Sequence, residues 1–192
     1  MPSELTKMLS LTGGGYRGLY TAKVIRSIEE HFKTDIRKHC DCIAGTSIGG
    51  IIAMGLVAGK SSEEIIEAFK TNKKEIFDPK PFYHTSYYSC RYDNKGLIKT
   101  IRTILGKFSN KTMQELKDHS GIDLFITTVE MNTGKTLLIN TIDEKYKEWK
   151  LIDVALATSA APTYFPAHTR NKVRYIDGGV SCNVPDILSA QT

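Results

Sequence analysis

Three short segments carry residues whose types and spacing could do chemistry. The first is the glycine-rich segment SLTGGGYRG, residues 10–18, and the second is Gly-Thr-Ser-Ile-Gly at residues 45–49. The third is Asp177, which is followed directly by Gly178 and Gly179. A serine between glycines can act as a nucleophile and a carboxylate as its base, while glycine N–H groups can bind a phosphate or an oxyanion.

The pentapeptide around Ser47 has the sequence context of a nucleophile elbow. A β-rich segment, CDCIAG (40–45), precedes it, and an apolar helical segment (47–59) follows it. Such a turn imposes strained backbone angles on the serine, and glycines two residues to either side, Gly45 and Gly49, leave room for it. The start of the helix would stabilise developing negative charge. The alternative is that Ser47 only caps the helix and that the glycines serve packing.

Two acids are candidates for a partner of this serine. The chain order Ser, Asp, His of an α/β-hydrolase is met by Ser47, Asp153 and His168, although His168 lies in a polar segment where a solvated histidine is the common explanation. Asp177 ends a predicted strand, VRYID (173–177). In a parallel sheet the carboxyl ends of the strands gather at one edge, so we expect Gly13, Ser47 and Asp177 to meet there. Taken alone, Asp177 would be a turn aspartate.

The elements predicted around these segments alternate between strand and helix. This β-α-β-α order predicts one α/β domain over residues 1–192, a three-layer sandwich with a mainly parallel sheet and helices on both faces. Capping boxes are expected at Ser61 with Glu64 and at Thr112 with Glu115. The predicted strands are 7–12, 40–45 and 173–177, with a hairpin over 123–141; the predicted helices include 17–32, 47–59, 96–106 and 151–161.

Composition narrows the class of protein. The 192 residues are 41% hydrophobic with a net charge of +5, and no block of lysine and arginine exceeds two residues, so a nucleic-acid partner is not predicted. Cys40 and Cys42 are too close for a zinc knuckle, which favours reduced thiols in a cytoplasmic protein without a metal site. Residues 43–59 are uncharged, but their five glycines favour a strand, a turn and a buried helix over a membrane span. The N-terminal residues MPSELTKML lack the apolar core of a signal peptide.

Residues 78–96 interrupt the regular pattern with four tyrosines, a phenylalanine and two prolines. This composition predicts a loop that forms a lid or a lipid-facing rim, with a packed surface excursion as the alternative.

The glycine-rich segment also satisfies a dinucleotide-binding fingerprint, Gly13-x-Gly15-x-x-Gly18. That reading requires an acidic residue about 20 positions on, at the end of the next strand. Asp35 precedes the predicted strand and Asp41 falls within it. A nucleotide-binding protein would also leave Ser47 and Asp177 unused.

Taken together, the three segments resemble the patatin-like phospholipases. That family has a D-G-G-G-x-R-G loop, a G-x-S-x-G serine and a late D-G-G/A aspartate; this chain has TGGGYRG at residues 12–18, GTSIG at 45–49 and DGG at 177–179. The segment ATSAAPTYFP (157–166) also resembles the family, and the resemblance extends over residues 8–188.

The resemblance implies a Ser–Asp dyad without histidine. Ser47 would attack the acyl ester of a phospholipid at a membrane surface while Asp177 accepts its proton, with no metal or cofactor. Burial should raise the pKa of Asp177 and make it a better base. The N–H groups of Gly13, Gly14 and Gly15 would form the oxyanion hole, and Arg17 would order that loop or add positive potential.

Two departures from the family pattern concern Thr12 and the C-terminus. Thr12 replaces the leading aspartate, at a position we interpret as structural. Family members usually continue beyond the VPDILSA segment, so we expect a C-terminal part to be missing after Thr192. The segment TGGGYRGLYTA further resembles bacterial members of the family that cyclic nucleotides activate in antiphage defence. A catalytically silent relative that binds lipid or a partner is the remaining alternative.

Overall fold

One mixed sheet forms the base of the fold. The structure, a computed structural model, describes residues 6–79 and 90–190. Strands β1, β2 and β3 pair in parallel, β4 and β6 both pair antiparallel to β3, and β5 pairs antiparallel to β6. Four of the six strands therefore run in one direction, which confirms a mainly parallel sheet. The strands are β1 Met8–Leu11, β2 Cys42–Thr46, β3 Asp123–Glu130, β4 Thr136–Asn140, β5 His168–Arg170 and β6 Val173–Asp177.

Strands β2 and β6 lie end to end along the same side of β3. Thr128 of β3 pairs with both Leu137 of β4 and Asp177 of β6, so β4 and β6 must occupy opposite sides of β3. Strand β2 pairs with some of the same residues of β3 as β4 does, so it lies on the side of β3 away from β4. It ends at Thr46, which pairs with Thr127. The carboxyl ends of β2 and β6 therefore point at each other and meet at consecutive residues of β3.

Seven helices accompany the sheet in the described residues, and both predicted capping boxes are present at α3 and α5. The helix predicted over 151–161 ends earlier than expected, because Ser159 no longer has helical backbone angles. The helices are α1 Gly18–Phe32, α2 Ile48–Val57, α3 Ser62–Ile76, α4 Lys95–Leu105, α5 Met113–Ser120, α6 Leu151–Thr158 and α7 Asp186–Ala190.

Helix α2 is apolar all round because it is enclosed on every side. Each of its ten residues is buried, and it packs between strands β2 and β3 on one side and helices α3, α4 and α6 on the other. An all-apolar helix of this kind is stable only inside a core. The uncharged segment 43–59 is thus a strand, a turn and a buried helix, as predicted. No helix in the described part of the chain is long and apolar enough to cross a membrane.

The two faces of the sheet carry core clusters of different size. Side chains from α1 to α6 join one core cluster with Ile43, Leu124 and Ile126, which share one face of the sheet. The other face carries a small cluster of Cys42, Ala44 and Phe125, to which no helix described here contributes. Right-handed crossovers between strands in the order β1-β2-β3 place their helices on the same face of the sheet, which is the face with the larger cluster.

Candidate active site

Ser47 sits in a strained turn between β2 and α2. Its backbone angles are φ 55° and ψ −126°, a region that non-glycine residues rarely occupy. A Cβ at Gly45 would lie 2.6 Å from Gly49 O, and one at Gly49 would lie 2.4 Å from Leu11 O. Both glycines are therefore required by close backbone approach, as the elbow interpretation predicts. Ser47 itself is only half-buried, so its hydroxyl remains accessible.

Asp177 reaches this serine from the end of β6. Ser47 Oγ donates a hydrogen bond of 2.6 Å to Asp177 Oδ2, and Asp177 Oδ1 accepts one of 2.7 Å from the N–H of Gly179. A Cβ at Gly178 would lie 2.3 Å from Thr127 Oγ1, so the chain can turn here only with glycine. Gly13, Ser47 and Asp177 do converge, but the reason given from sequence was incomplete: β6 is antiparallel and meets β2 head to head.

Burial changes the acidity of this carboxyl. Asp177 is 5% exposed, and desolvation raises its pKa, while the hydrogen bonds from Ser47 and Gly179 act in the opposite direction. A raised pKa makes a carboxylate a stronger base toward a serine hydroxyl. The direction of this shift agrees with the sequence prediction.

The glycine-rich loop passes close to the serine. A Cβ at Gly13 would lie 3.0 Å from the Cβ of Ser47. The sequence analysis assigned the N–H of Gly13 to the oxyanion hole. In the structure this N–H donates a 3.1 Å hydrogen bond to Asn183 Oδ1 and is not free to bind an oxyanion. No acceptor in the described residues receives the N–H of Gly14 or Gly15, and both glycines line the cavity at Ser47.

Arg17 lies apart from this group. Its side chain is exposed and does not line the cavity, and its N–H closes a turn on Gly14 O at 3.1 Å. The structure therefore places Arg17 beside the loop and not in the oxyanion hole with which the sequence grouped it.

Buried threonines hold the ends of the strands together. Thr158 Oγ1 accepts the N–H of Ser47 at 2.8 Å. The hydroxyls of Thr46 and Thr127 lie 2.6 Å apart, and Thr46 Oγ1 donates to Cys182 O at 3.1 Å. These contacts tie the serine turn to α6 and to the segment that follows Asp177.

A cavity of about 640 Å³ contains the serine and the aspartate in its wall. Much of the remaining lining is aliphatic or aromatic, which suits an apolar chain better than a charged ligand. The apolar lining includes Leu19, Ile51, Phe69, Ile76, Leu97 and Phe165.

Asp153 and His168, the alternative partners of Ser47 in a Ser-Asp-His triad, do not lie at the serine. His168 Nε2 lies 3.2 Å from Asp153 Oδ1, and this contact with His168 is the main cause that lowers the pKa of Asp153. Neither residue lines the cavity, and the hydroxyl of Ser47 is bound to Asp177. His168 begins β5, a strand that the sequence analysis did not predict.

Two glycines of the dinucleotide fingerprint, Gly13 and Gly18, pack against the serine turn. A Cβ at Gly18 would lie 2.5 Å from two side-chain carbons of Ile48, the first residue of α2, so this glycine allows α1 to pack on the elbow. Asp35 bonds Arg37, and Asp41 accepts the N–H of Lys7 before β2 begins, at the opposite end of that strand. Neither acid lies where a nucleotide ribose would require it.

The tyrosine-rich loop predicted over 78–96 falls mainly outside the described residues. Of its aromatic residues Tyr92 is described; it lines the cavity and packs against Phe77 and Phe165 at ring-centroid distances of 5.6 and 5.5 Å. The prediction of a lid stays a prediction.

Comparison with known protein families identifies the class of protein to which this fold and site belong. The family model described as Patatin-like phospholipase matches residues 9–186, and the chain belongs to this family. VipD from Legionella pneumophila has a similar fold, with a TM-score of 0.59 and 14% identity over 91% of this chain and 46% of VipD.

Curated relatives are more similar in sequence. A "cGAMP-activated phospholipase" from Vibrio cholerae is 39% identical over 206 residues, covering 95% of this chain and 56% of the relative. A protein of the same name from Escherichia coli is 36% identical over 201 residues, covering 95% of this chain and 54% of that protein. The chain thus spans about half the length of the curated relatives it matches.

Proposed function

We propose that residues 1–192 form one acyl-hydrolase domain that cleaves fatty-acyl esters of membrane phospholipids through Ser47 and Asp177. The observation that carries this proposal is the 2.6 Å hydrogen bond from Ser47 Oγ to a buried carboxylate in the wall of an apolar cavity. Membership of the patatin-like phospholipase family supports a lipid as the substrate.

The two side chains are sufficient for a balanced acyl transfer. Ser47 Oγ attacks the ester carbonyl carbon, its proton passes to Asp177 Oδ2, and the carbonyl oxygen becomes an oxyanion. When the oxyanion collapses, the bond to the alkoxyl oxygen breaks, and that oxygen takes the proton from Asp177. Water then attacks the acyl–Ser47 ester with Asp177 as base, which releases the fatty acid and restores the serine.

The oxyanion would bind at the glycine-rich loop. The N–H groups of Gly14 and Gly15 have no acceptor among the described residues, and both glycines line the same cavity as Ser47. Ser47 also precedes the first turn of α2, whose N-terminus favours negative charge. Loss of one such donor costs about 3–4 kcal/mol of transition-state stabilisation in serine hydrolases.

The mouth of the cavity has the features of a surface that meets a membrane. Tyr164 and Val180 line the cavity and are 50% and 58% exposed. Exposed apolar residues around a cavity mouth fit peripheral contact with a bilayer on the cytoplasmic side.

Vesicle binding tests this membrane contact with matched valines. Val180→Ser should weaken sedimentation of the protein with phospholipid vesicles, whereas Val24→Ser should not, since Val24 is exposed on α1 and does not line the cavity. Equal binding of both variants and the wild type would argue against a docking role for the cavity mouth.

Activation by a cyclic nucleotide is proposed from the relatives alone. Two relatives bear the name "cGAMP-activated phospholipase", which supports a cyclic dinucleotide as activator and a place in antiphage defence. Assays of fatty-acid release with and without cGAMP, on a panel of phospholipids, would test this and identify the preferred headgroup.

The decisive experiment removes the nucleophile. Ser47→Ala should abolish fatty-acid release from phospholipid vesicles and labelling by a fluorophosphonate. Ser159→Ala is the matched control: Ser159 lines the same cavity, but its hydroxyl donates to Ala155 O at 2.6 Å and not to a carboxylate. Hydrolysis retained in Ser47→Ala would refute the nucleophile, and a wild-type chain that neither hydrolyses nor labels would favour the catalytically silent alternative.

A further inference from the structure

Asn183 makes a long-range contact that the mechanism above does not use. Its Oδ1 accepts the N–H of Gly13 at 3.1 Å, across 170 residues of sequence. Because a backbone N–H can only donate, the oxygen of the carboxamide must face the loop. A Cβ at Gly13 would lie 2.6 Å from Asn183 Oδ1 and 3.0 Å from Ser47 Cβ, so the carboxamide lies at the site itself.

The backbone on either side of Asn183 is held in place. The hydroxyls of Thr46 and Thr127 lie 3.1 and 3.4 Å from Cys182 O, so one of them donates to it while the other donates to its neighbour, and Pro185 is buried. The asparagine therefore projects from a segment fastened to the ends of β2 and β3. A short side chain on a backbone anchored in this way is suited to holding a glycine-rich loop in one position.

The loop that it holds needs such a restraint. Residues 12–15 contain three glycines, the residue type that loses most backbone freedom on ordering. Gly13 uses its N–H for Asn183, whereas the next two N–H groups, of Gly14 and Gly15, have no acceptor among the described residues, and both glycines line the cavity that contains Ser47.

We propose that Asn183 is a positioning residue that latches the glycine-rich loop so that the N–H groups of Gly14 and Gly15 face the oxyanion. This inference rests on the proposed function, since it assigns a role in the same reaction. Gly13 then acts as the point of attachment and not as an oxyanion donor. A displaced loop would weaken binding of the transition state more than binding of the ester.

Two variants test the latch. Asn183→Ala removes the side chain, and Asn183→Leu keeps nearly its shape without an acceptor. Both should lower kcat per fluorophosphonate-titrated serine by about tenfold to a hundredfold, with little change in KM, because small misplacements of catalytic groups have effects of this size. The Ki of an acyl trifluoromethyl ketone, which forms a tetrahedral adduct with serine, should rise by the same factor.

Ser181→Ala provides the control within the same segment. Its hydroxyl lies 2.6 Å from that of Thr136 and makes no contact with the glycine-rich loop. We expect wild-type kcat and Ki for this variant. Asn183→Leu with wild-type kcat would overturn the latch, as would a fall in kcat without a matching rise in Ki. If the proposed function itself fails, the wild type shows no hydrolysis, which separates the two outcomes.

Discussion

Replacing Thr158 with valine should lower the activity that depends on Ser47, although Ser47 itself is unchanged. Thr158 is fully buried, and its Oγ1 is the acceptor for the N–H of Ser47 at 2.8 Å. Valine has nearly the same shape, so the change leaves this N–H without its partner and creates no cavity. The strained backbone of Ser47 then loses one of the contacts that hold it at φ 55°.

The expected loss of stability and activity in Thr158→Val follows from the free-energy cost of leaving the N–H of Ser47 unpaired. Leaving such a group unsatisfied costs about 1–3 kcal/mol, and a strained backbone stores a similar amount. If the serine turn relaxes, the 2.6 Å contact with Asp177 is lost, and the same free energy taken from the transition state lowers kcat/KM by roughly fivefold to 150-fold. The free energy of unfolding should fall by about 1–3 kcal/mol as well.

Urea unfolding and ester hydrolysis measure the two effects separately. Thr141→Val is the matched control, because Thr141 is also buried and its Oγ1 accepts the N–H of Leu124 at 3.0 Å, near the start of β3 and away from the site. It should lose at least as much stability, because its hydroxyl also donates to Asp123 Oδ1 at 2.9 Å, but keep kcat/KM. If Thr158→Val loses stability and keeps full activity, the hydrogen bond does not position Ser47.

Three further predictions concern the base, the cavity and metals. Asp177→Asn should lower kcat by about 10²–10⁴-fold. Burial raises the pKa of the Asp177 carboxyl, so the wild type loses stability as the pH rises from about 3.8, the unfolded value, through the folded pKa. The variant should therefore be the more stable protein near pH 7 and lose this advantage in acid, which urea unfolding at a series of pH values would show. Leu97→Trp should narrow the cavity and shift preference toward shorter acyl chains in competition assays with mixed esters, and an unchanged profile would remove Leu97 from the acyl site. Hydrolysis should persist in EDTA, because Ser47 and Asp177 supply both nucleophile and base; strict loss of activity would contradict this mechanism.

The residues that act through local geometry were predictable from sequence. The elbow at Ser47 follows from glycines at fixed offsets between a strand and a helix, and the structure gives the expected strained φ. Asp177 was marked by its position at a strand end before two glycines. Both signals lie within a few residues of the group concerned, where backbone sterics determine the conformation.

The residues that act through long-range pairing were not predictable in the same way. The hairpin β5–β6 was missed because its turn places Asn171 and Lys172 at φ 50° and 65°, and lysine seldom marks such a turn. Without that hairpin the antiparallel direction of β6 could not be foreseen. Thr158 and Asn183 are ordinary polar residues in sequence, and only the assembled sheet brings them to the serine turn.

The head-to-head meeting of β2 and β6 makes assembly of the candidate site a late event in folding. The serine and its aspartate are 130 residues apart, and the glycine-rich loop is fastened across 170. Contacts of such high sequence separation carry the largest loop-closure cost and tend to form after local structure. A nascent chain therefore carries Ser47 long before Asp177 has been synthesised. Under the proposed function, ester hydrolysis would report completion of the fold in a way that helix content does not.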